Sequence, residues 1–384
     1  METQLSNGKE RIVWLDAARL VAMFMVICSH CTDPFNCAAY GTPEGEAYRL
    51  WGAVFGALAR ICVPMFAMIT GALLLPVRQD TCTFYRRRIT RVVFPFLIWS
   101  VLYCMFPWIT GLLGLEPEII TKFFAYAAPV SESTQTLSHT LTCIASIPVN
   151  FSIYDVHMWY IYMLIGLYLY MPVFSAWVER AGERAKLTFL TLWGITLFLP
   201  YYHTFADQYI WGECSWNGFS TLYYFAGFNG YLLLGHYLRR HDWPAKKTLV
   251  FGLPVFAAGY AITFAGFRHM TAIPDATEPM CELFFTFCSV NVAMMAIPAF
   301  MLVKKITIRN GTVCRLLANL TLCGFGIYMV HYIFVGPAVM LTRNAGIPIP
   351  LQIPIAAVIT FAISWIIAAT LRKALGRHTR IVIG

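Results

Sequence analysis

Asp16, Arg19 and His30 are ionisable residues inside one apolar stretch, RIVWLDAARLVAMFMVICSHCT, at residues 11–32. A helix of about twenty such residues crosses a ~30 Å hydrocarbon layer at ~1.5 Å per residue. A charged side chain near the bilayer centre costs on the order of 3 kcal/mol or more, so these residues are expected to face a cavity or polar partners. The stretch is therefore the first place in the chain where chemistry is expected.

Arg19 and His30 project from the same face of that predicted helix. They are eleven positions apart, which corresponds to three turns with about 20° of drift and about 16 Å of rise. Asp16 precedes Arg19 by three positions, and this spacing predicts a local ion pair. Because imidazole exchanges protons near neutral pH, His30 is a candidate for proton transfer.

Arg60, His157 and His331 are further ionisable residues within apolar segments. Arg60 lies in LARICVPMFAMITGALLL, about halfway through the second span if that span starts near Leu50, and at this depth it needs an anion or a buried acid as partner. Two interpretations remain open for Arg60: a structural pairing, for example with Asp16, or a pocket for an anionic ligand. His157 opens the fourth span, in DVHMWYIYMLIGLYLYMP, and His331 lies late in the ninth, in GFGIYMVHYIFV, so both map with His30 to the outer third of the membrane. One such histidine is usually structural, but three at one depth favour a site for acid–base chemistry.

The composition excludes an ordinary soluble domain. Of 384 residues, 59% are hydrophobic and 12% are charged, with a mean hydropathy of +0.63, whereas a soluble domain has about 25% charged residues. We therefore predict an all-α polytopic membrane protein, with a single transmembrane domain over residues 1–384 and no separate soluble domain.

About ten apolar segments are separated by polar or Pro/Gly-rich joints, and each predicts a transmembrane helix. They are residues 12–32, 50–76, 92–113, 157–178, 187–203, 218–238, 248–267, 280–303, 316–338 and 349–371. The apolar stretch 139–151 is short and interrupted by proline, so a re-entrant or interfacial segment is expected there.

The distribution of lysine and arginine predicts the orientation. With a cytoplasmic N-terminus, most of the 28 lysines and arginines fall on the cytoplasmic side. The outer side then holds Arg49, Lys122, Arg268 and Arg343. This asymmetry favours cytoplasmic N- and C-termini. The net charge of +9 accordingly indicates the topology and provides a basic face for anionic lipid headgroups. It does not predict nucleic-acid binding.

The twelve cysteines predict no metal site. Most lie in apolar segments, where a thiol packs as a small hydrophobe, and no Cys-x-x-Cys pair has a second matching pair.

These residues in this order resemble the integral-membrane acyltransferase 3 family, bacterial enzymes that acylate cell-surface glycans. The first span, WLDAARLVAMFMVICSH, carries the most specific similarity through Arg19 and His30, which are separated by ten residues. RICVPMFAMITGALLL is similar to the family's second span, with Arg60, Pro64 and Gly71. FYRRRITRVVFPFLIW resembles its basic loop and third span, HMWYIYMLIGLYLYMP a later helix and GFGIYMVHYIF the penultimate one.

The resemblance implies an acyltransferase of roughly ten helices in the bacterial plasma membrane. Such an enzyme takes an acyl group, usually acetyl, from cytoplasmic acyl-CoA and delivers it to a hydroxyl of a glycan or lipid-linked sugar on the outer side. The pantetheine arm of CoA is comparable in length to the rise from Arg19 to His30, so a donor entering from the basic face would present its thioester near His30.

Roles for individual residues follow from this interpretation. His30 is the expected general base or, in the alternative, a transient acyl carrier, with His157 and His331 as further catalytic candidates. Arg19 and Arg60 are expected to stabilise the donor or the developing negative charge. The candidates for the nucleotide phosphates are Arg86, Arg87 and Arg88.

Acceptor recognition is expected in the outer loops. Family members often carry an extra periplasmic domain, and because this chain stops soon after Arg380, the stand-alone form is expected. The acidic, aromatic-rich loops 33–49, 114–156 and 203–217 suit a sugar. Two other classes remain open: a transporter or exporter of lipid-linked glycan, for which no inverted repeat is visible, and a membrane scaffold without catalysis.

Overall fold

A computed structural model of the chain describes residues 3–4, 10–38, 41–124, 129–206 and 209–384, with side chains described from residue 12 onward. Residues 39–40, 125–128 and 207–208 of the three predicted acceptor loops lie outside this description. The described chain is 76% helical, and two two-residue strands, β1 (Thr3–Gln4) and β2 (Glu10–Arg11), pair antiparallel. The prediction of an all-α polytopic membrane protein is confirmed.

Seventeen α-helices follow one another along the described residues. They are α1 (Val13–Asn36), α2 (Pro43–Ala59), α3 (Cys62–Leu74), α4 (Thr81–Leu112), α5 (Pro117–Phe123), α6 (Leu137–Ser146), α7 (Trp159–Arg180), α8 (Glu183–Thr196), α9 (Leu199–Ala206), α10 (Asn229–Arg240), α11 (Ala245–Met270), α12 (Glu278–Cys281), α13 (Val290–Val303), α14 (Gly311–Val330), α15 (Tyr332–Asn344), α16 (Ile349–Leu375) and α17 (Thr379–Val382). Short 3₁₀ turns lie at Val156–Met158, Tyr223–Phe225, Leu283–Phe285 and Gly376–His378.

Eight helical segments within the described part of the chain are long and apolar enough to cross a membrane. They are Val13–Asn36, Pro43–Leu74, Thr81–Leu112, Val156–Arg180, Ala245–Met270, Leu283–Val303, Gly311–Val330 and Ile349–Val382. The predicted count of about ten is therefore approximate.

The two remaining predicted segments form shorter helices. Segment 187–203 divides into α8 and α9, because Pro200 has no N–H to bond the carbonyl of Thr196, where α8 ends. Segment 218–238 contains a 3₁₀ turn at Tyr223–Phe225 and a left-handed Gly227 at φ 89° before α10, so only α10 is α-helical there. The stretch 139–151 begins inside α6, whose ten residues are too few to span a membrane.

The chain forms two compact units, each assembled from three separated stretches. The first unit comprises Met1–Val26, Gly56–Arg78 and Met171–Ala318, and the second comprises Ile27–Phe55, Gln79–Tyr170 and Asn319–Gly384. Helix α1 contributes Arg19 to the first unit and His30 to the second. A single transmembrane domain over residues 1–384 stays a prediction.

Within the first unit, α3 and α10 approach each other through glycines. A Cβ at Gly71 would lie 1.9 Å from the carbonyl oxygen of Leu232, and a Cβ at Gly235 would lie 1.9 Å from that of Met68. Since the obstructing atoms are backbone, no side-chain rearrangement would make room. Gly71 and Gly235 therefore set the distance between these two helices.

Candidate active site

Histidines from three separate segments meet in the second unit. His30 lies on α1, His157 in the 3₁₀ turn before α7 and His331 at the junction of α14 and α15. The ring centroids of His30 and His331 are 5.4 Å apart, those of His157 and His331 5.2 Å, and those of His30 and His157 6.4 Å. The three predicted histidines thus form one cluster, while their chemical roles stay predictions.

The three histidines differ in burial. His157 and His331 are buried, with exposed fractions of 1% and 0%. His30 keeps 18% of its side chain exposed. Of the three imidazoles, His30 is therefore the one that a substrate entering from outside the cluster would reach first.

His30 is paired with Asp33, one turn further along α1. Its Nδ1 lies 3.3 Å from Oδ2 of Asp33, a long hydrogen bond. A carboxylate only accepts, so Nδ1 carries the proton and the neutral ring presents Nε2 as an acceptor. This is the tautomer that a general base requires. Asp33 was not among the predicted site residues, although the i, i+3 spacing in HCTD could have indicated it.

His331 adopts the same kind of tautomer. Its Nδ1 lies 2.6 Å from the carbonyl oxygen of Tyr328, and because a carbonyl cannot donate, Nδ1 carries the proton of the neutral ring. Its Nε2 is buried and has no hydrogen-bond partner in the described structure. His331 can therefore accept a proton or a hydrogen bond through Nε2.

The junction of α14 and α15 is held by two tyrosines. The hydroxyl of Tyr103 on α4 donates to the carbonyl of Met329 at 2.9 Å, just before the junction. The hydroxyl of Tyr328 donates to the backbone carbonyl of His157. These bonds fix the backbones that carry His331 and His157 relative to each other.

Tyr332, which was not among the predicted site residues, completes the cluster. Its ring stacks on His157 with centroids 4.8 Å apart and an interplanar angle of 26°. It also meets His30 edge-on at 5.2 Å and is fully buried. Because successive helical residues project about 100° apart, adjacency to His331 did not predict that both would face one cluster.

Four polar atoms in this cluster have no hydrogen-bond partner in the part of the chain that is described. They are Nδ1 and Nε2 of His157, Nε2 of His331 and the hydroxyl of Tyr332. A buried polar group without a partner is unfavourable by about 1–3 kcal/mol, and most folded structures avoid it. Their concentration in three neighbouring rings makes this cluster the candidate site for polar groups of a substrate.

Asp155 orients the turn that carries His157. Its Oδ1 accepts hydrogen bonds from the backbone N–H and the hydroxyl of Ser152, at 2.7 and 2.6 Å, and its own carbonyl accepts from Met158 N–H at 2.7 Å. Burial raises the pKa of the Asp155 carboxyl above its ordinary value, while the bonds from Ser152 act in the opposite direction. Asp155 thus acts on His157 through the backbone.

Arg19 forms the predicted local ion pair. Its Nη1 lies 2.9 Å from Oδ1 of Asp16, and the Asp16 side chain is buried, whereas the Arg19 side chain is 36% exposed. The pairing of Asp16 with Arg19 is confirmed. A role for Arg19 in donor binding stays a prediction.

Arg60 lies at a break in the second span, between α2 and α3. Pro64 lacks the N–H that would bond the Arg60 carbonyl, and this explains the break. In the first unit, Nη2 of Arg60 is 3.6 Å from Oε2 of Glu282, and its guanidinium carbon is 4.1 Å from the centre of the Phe285 ring. Arg60 therefore has an acid and an aromatic face as partners, and the anionic-ligand pocket stays a prediction.

Arg86, Arg87 and Arg88 lie in the first turns of α4 in the second unit. Arg86 and Arg87 are exposed, and Arg88 is half-buried. The helix begins after Asp80, whose carboxylate accepts from the backbone N–H of Thr83 at 2.9 Å. Contact of these arginines with nucleotide phosphates stays a prediction.

Among the described residues, no group of three or more His, Cys, Asp or Glu side chains could hold a metal ion.

A family model described as an acyltransferase domain, that of the acyltransferase 3 family, matches residues 12–369. The chain belongs to this family. The match includes the histidine cluster, Arg19, Arg60 and the start of α4. Comparisons with curated proteins and with solved structures gave no significant match. As an acyltransferase 3 family member with several candidate spans, the chain is a multi-pass membrane acyltransferase.

Proposed function

We propose that this acyltransferase moves an acyl group, usually acetyl, from cytoplasmic acyl-CoA to a hydroxyl of a cell-surface or lipid-linked glycan. The transfer would take place toward the outer side of the bacterial plasma membrane. The observation that carries the proposal is the group of unsatisfied polar atoms on His157, His331 and Tyr332 beside the His30–Asp33 pair.

The proposed reaction needs one base that later acts as an acid. Nε2 of His30 takes the proton of the acceptor hydroxyl while its oxygen attacks the thioester carbonyl carbon, giving a tetrahedral intermediate. The C–S bond then breaks, and the CoA sulfur takes the proton from His30. Asp33 stabilises the imidazolium formed between these steps, and a positioned imidazole typically contributes 10²–10⁴-fold to the rate.

The alternative for His30 is a transient acyl carrier. In that case Nε2 itself attacks the thioester and the CoA thiol leaves before the acceptor hydroxyl attacks the acyl-imidazole. Both routes use the same nitrogen, so the hydrogen bond from Nδ1 to Asp33 supports both.

Donor entry along α1 is supported by the length of this helix. Because α1 extends from Val13 to Asn36, Arg19 and His30 are separated by about 16 Å along one helix axis. In this proposal Arg19 and Arg60 bind the donor or its developing charge, and Arg86, Arg87 and Arg88 bind the nucleotide phosphates.

Acceptor binding by the outer loops is supported by an open groove of about 630 Å³ in the second unit. Its lining comprises Glu116, Pro117, Glu118, Thr121, Lys122, Val130 and Ser131. Carboxylates, hydroxyls and an ammonium group can hydrogen-bond sugar hydroxyls. The sugar-binding role of this groove belongs to the proposal.

The experiment uses the purified full chain in lipid vesicles with labelled acetyl-CoA and a crude preparation of bacterial surface glycans and their lipid-linked precursors. We expect alkali-labile label in the glycan with wild-type protein and none with His30→Ala. Movement of lipid-linked glycan across the vesicle membrane without any label transfer would overturn the proposal in favour of an exporter. Absence of both activities would favour a scaffold.

A further inference from the structure

We propose that the hydroxyl of Tyr332 is a catalytic hydrogen-bond donor to the thioester carbonyl oxygen, stabilising the negative charge of the tetrahedral intermediate. This inference rests on the proposed acyl transfer and adds a residue to it. The Tyr332 side chain is fully buried, and its hydroxyl has no hydrogen-bond partner in the described structure.

The unsatisfied atoms of the cluster differ in what they can donate. Nε2 of His331 is an acceptor in the neutral ring, because the proton of that ring is on Nδ1 and is directed to the Tyr328 carbonyl. Tyr332 has an O–H, and the neutral His157 ring has one N–H, so these two residues are the unsatisfied donors. An oxyanion needs donors, and a base site such as Nε2 of His30 cannot serve this purpose.

The ring of Tyr332 is held in place before any substrate binds. It stacks on His157 at 4.8 Å, and the rings of Tyr103 and Phe124 each lie 6.4 Å away. Its centroid is 5.2 Å from that of His30, so donor and base belong to neighbouring rings. A donor that is already fixed stabilises developing charge without reorganising during the reaction.

The step balances without an additional reactant. The acceptor oxygen adds to the carbonyl carbon and its proton moves to His30. The carbonyl electron pair moves to the oxygen, where it accepts the hydrogen bond from Tyr332. When the C–S bond breaks, the carbonyl is restored, the sulfur takes the proton from His30, and Tyr332 keeps its own proton throughout.

The first test is Tyr332→Phe, which keeps the stacked ring and removes only the hydroxyl. We expect kcat to fall by about 10²–10³-fold, the usual cost of losing one oxyanion donor. The KM for acetyl-CoA is expected to change by less than about threefold, because the bond forms mainly in the transition state. The melting temperature is expected to stay equal or rise, since an unsatisfied buried hydroxyl is removed.

Tyr231→Phe is the matched control. Tyr231 is also fully buried, but its hydroxyl donates to the Phe287 carbonyl at 2.8 Å. Removal of the Tyr231 hydroxyl is expected to lower the melting temperature, because the Phe287 carbonyl loses its hydrogen-bond donor. The kcat is expected to stay within about threefold of the wild-type value. Tyr332→Phe is thus expected to lower kcat without lowering the melting temperature, and Tyr231→Phe to lower the melting temperature without lowering kcat.

A second test replaces Tyr332 by a series of fluorinated tyrosines of increasing phenol acidity. We expect kcat to vary systematically with phenol acidity, whereas a purely structural hydroxyl would give no such trend. Unchanged kcat in Tyr332→Phe, or the absence of a trend in the fluorinated series, would overturn the role of Tyr332. Wild-type protein without acyl transfer would instead refute the proposed function.

Discussion

His157 and Tyr332 stack face to face at 4.8 Å, and neither the ring nitrogens of His157 nor the hydroxyl of Tyr332 have hydrogen-bond partners in the described structure. Aromatic stacking holds two polar side chains without using their donors and acceptors. The arrangement therefore combines fixed rings with unsatisfied polar atoms, which is the condition for binding a substrate in a set orientation.

His30→Ala is expected to abolish acyl transfer while acyl-CoA binding persists. The variant removes the imidazole that is partly exposed and also paired with a carboxylate. Loss of a general base typically lowers the rate by about 10²–10⁴-fold. Smaller losses are expected for His157→Ala and His331→Ala. Turnover of labelled acetyl-CoA by each purified, folded variant provides the measurement. Near-normal turnover in His30→Ala with an inactive His331→Ala would move the base to the junction of α14 and α15.

Asp33→Asn is expected to lower kcat by about 10–100-fold. The amide keeps the shape of the side chain but removes the charge that stabilises the His30 imidazolium, and a hydrogen bond to a charged group contributes about 1.5–3 kcal/mol. Equilibrium binding of acyl-CoA is expected to be unchanged. Thr32→Val serves as the control on the same turn, because the Thr32 hydroxyl donates to the Ser29 carbonyl. Equal rates for wild type and Asp33→Asn would contradict an active role for this pair.

Arg19→Ala and Arg60→Ala are each expected to weaken acyl transfer while folded protein remains in the membrane. Glu282→Gln separates structure from donor binding at Arg60, because it removes the acid partner but leaves the guanidinium in place. If Arg60 binds the donor, Arg60→Ala raises the KM for acyl-CoA, whereas Glu282→Gln does not. Normal acyl-CoA binding and turnover in both arginine variants would show that these cations are structural.

The orientation predicts that residues 78–91 and the C-terminus are cytoplasmic and that loop 114–138 is outside. The reason is the asymmetry of lysine and arginine between the two sides. In a cysteine-depleted background, Arg87→Cys is expected to resist a membrane-impermeant thiol reagent applied from outside, whereas Glu118→Cys reacts. Labelling of the cysteine at position 87 from outside intact cells would contradict the orientation.

The sequence by itself determined those features of the structure that depend on local spacing along the chain. The apolar segments, the helical class and the Asp16–Arg19 pair depend on hydropathy and on the 3.6-residue period, both of which are read directly along the chain. The His30–Asp33 pair has the same i, i+3 spacing and could have been predicted from the sequence HCTD. The resemblance to the acyltransferase 3 family was also visible in the sequence alone, from motifs and their order along the chain, and the family model confirms it.

Tertiary structure decided which distant residues become partners. Arg60 pairs with Glu282, more than two hundred residues away, and Tyr332 stacks on His157 within the same buried cluster as His331. Hydropathy gives the depth of a residue in the membrane, but the direction in which its side chain faces a neighbour depends on helix rotation and packing. The sequence could therefore indicate three histidines at one depth, whereas their common cluster, and the tyrosine within it, follow from how the helices pack.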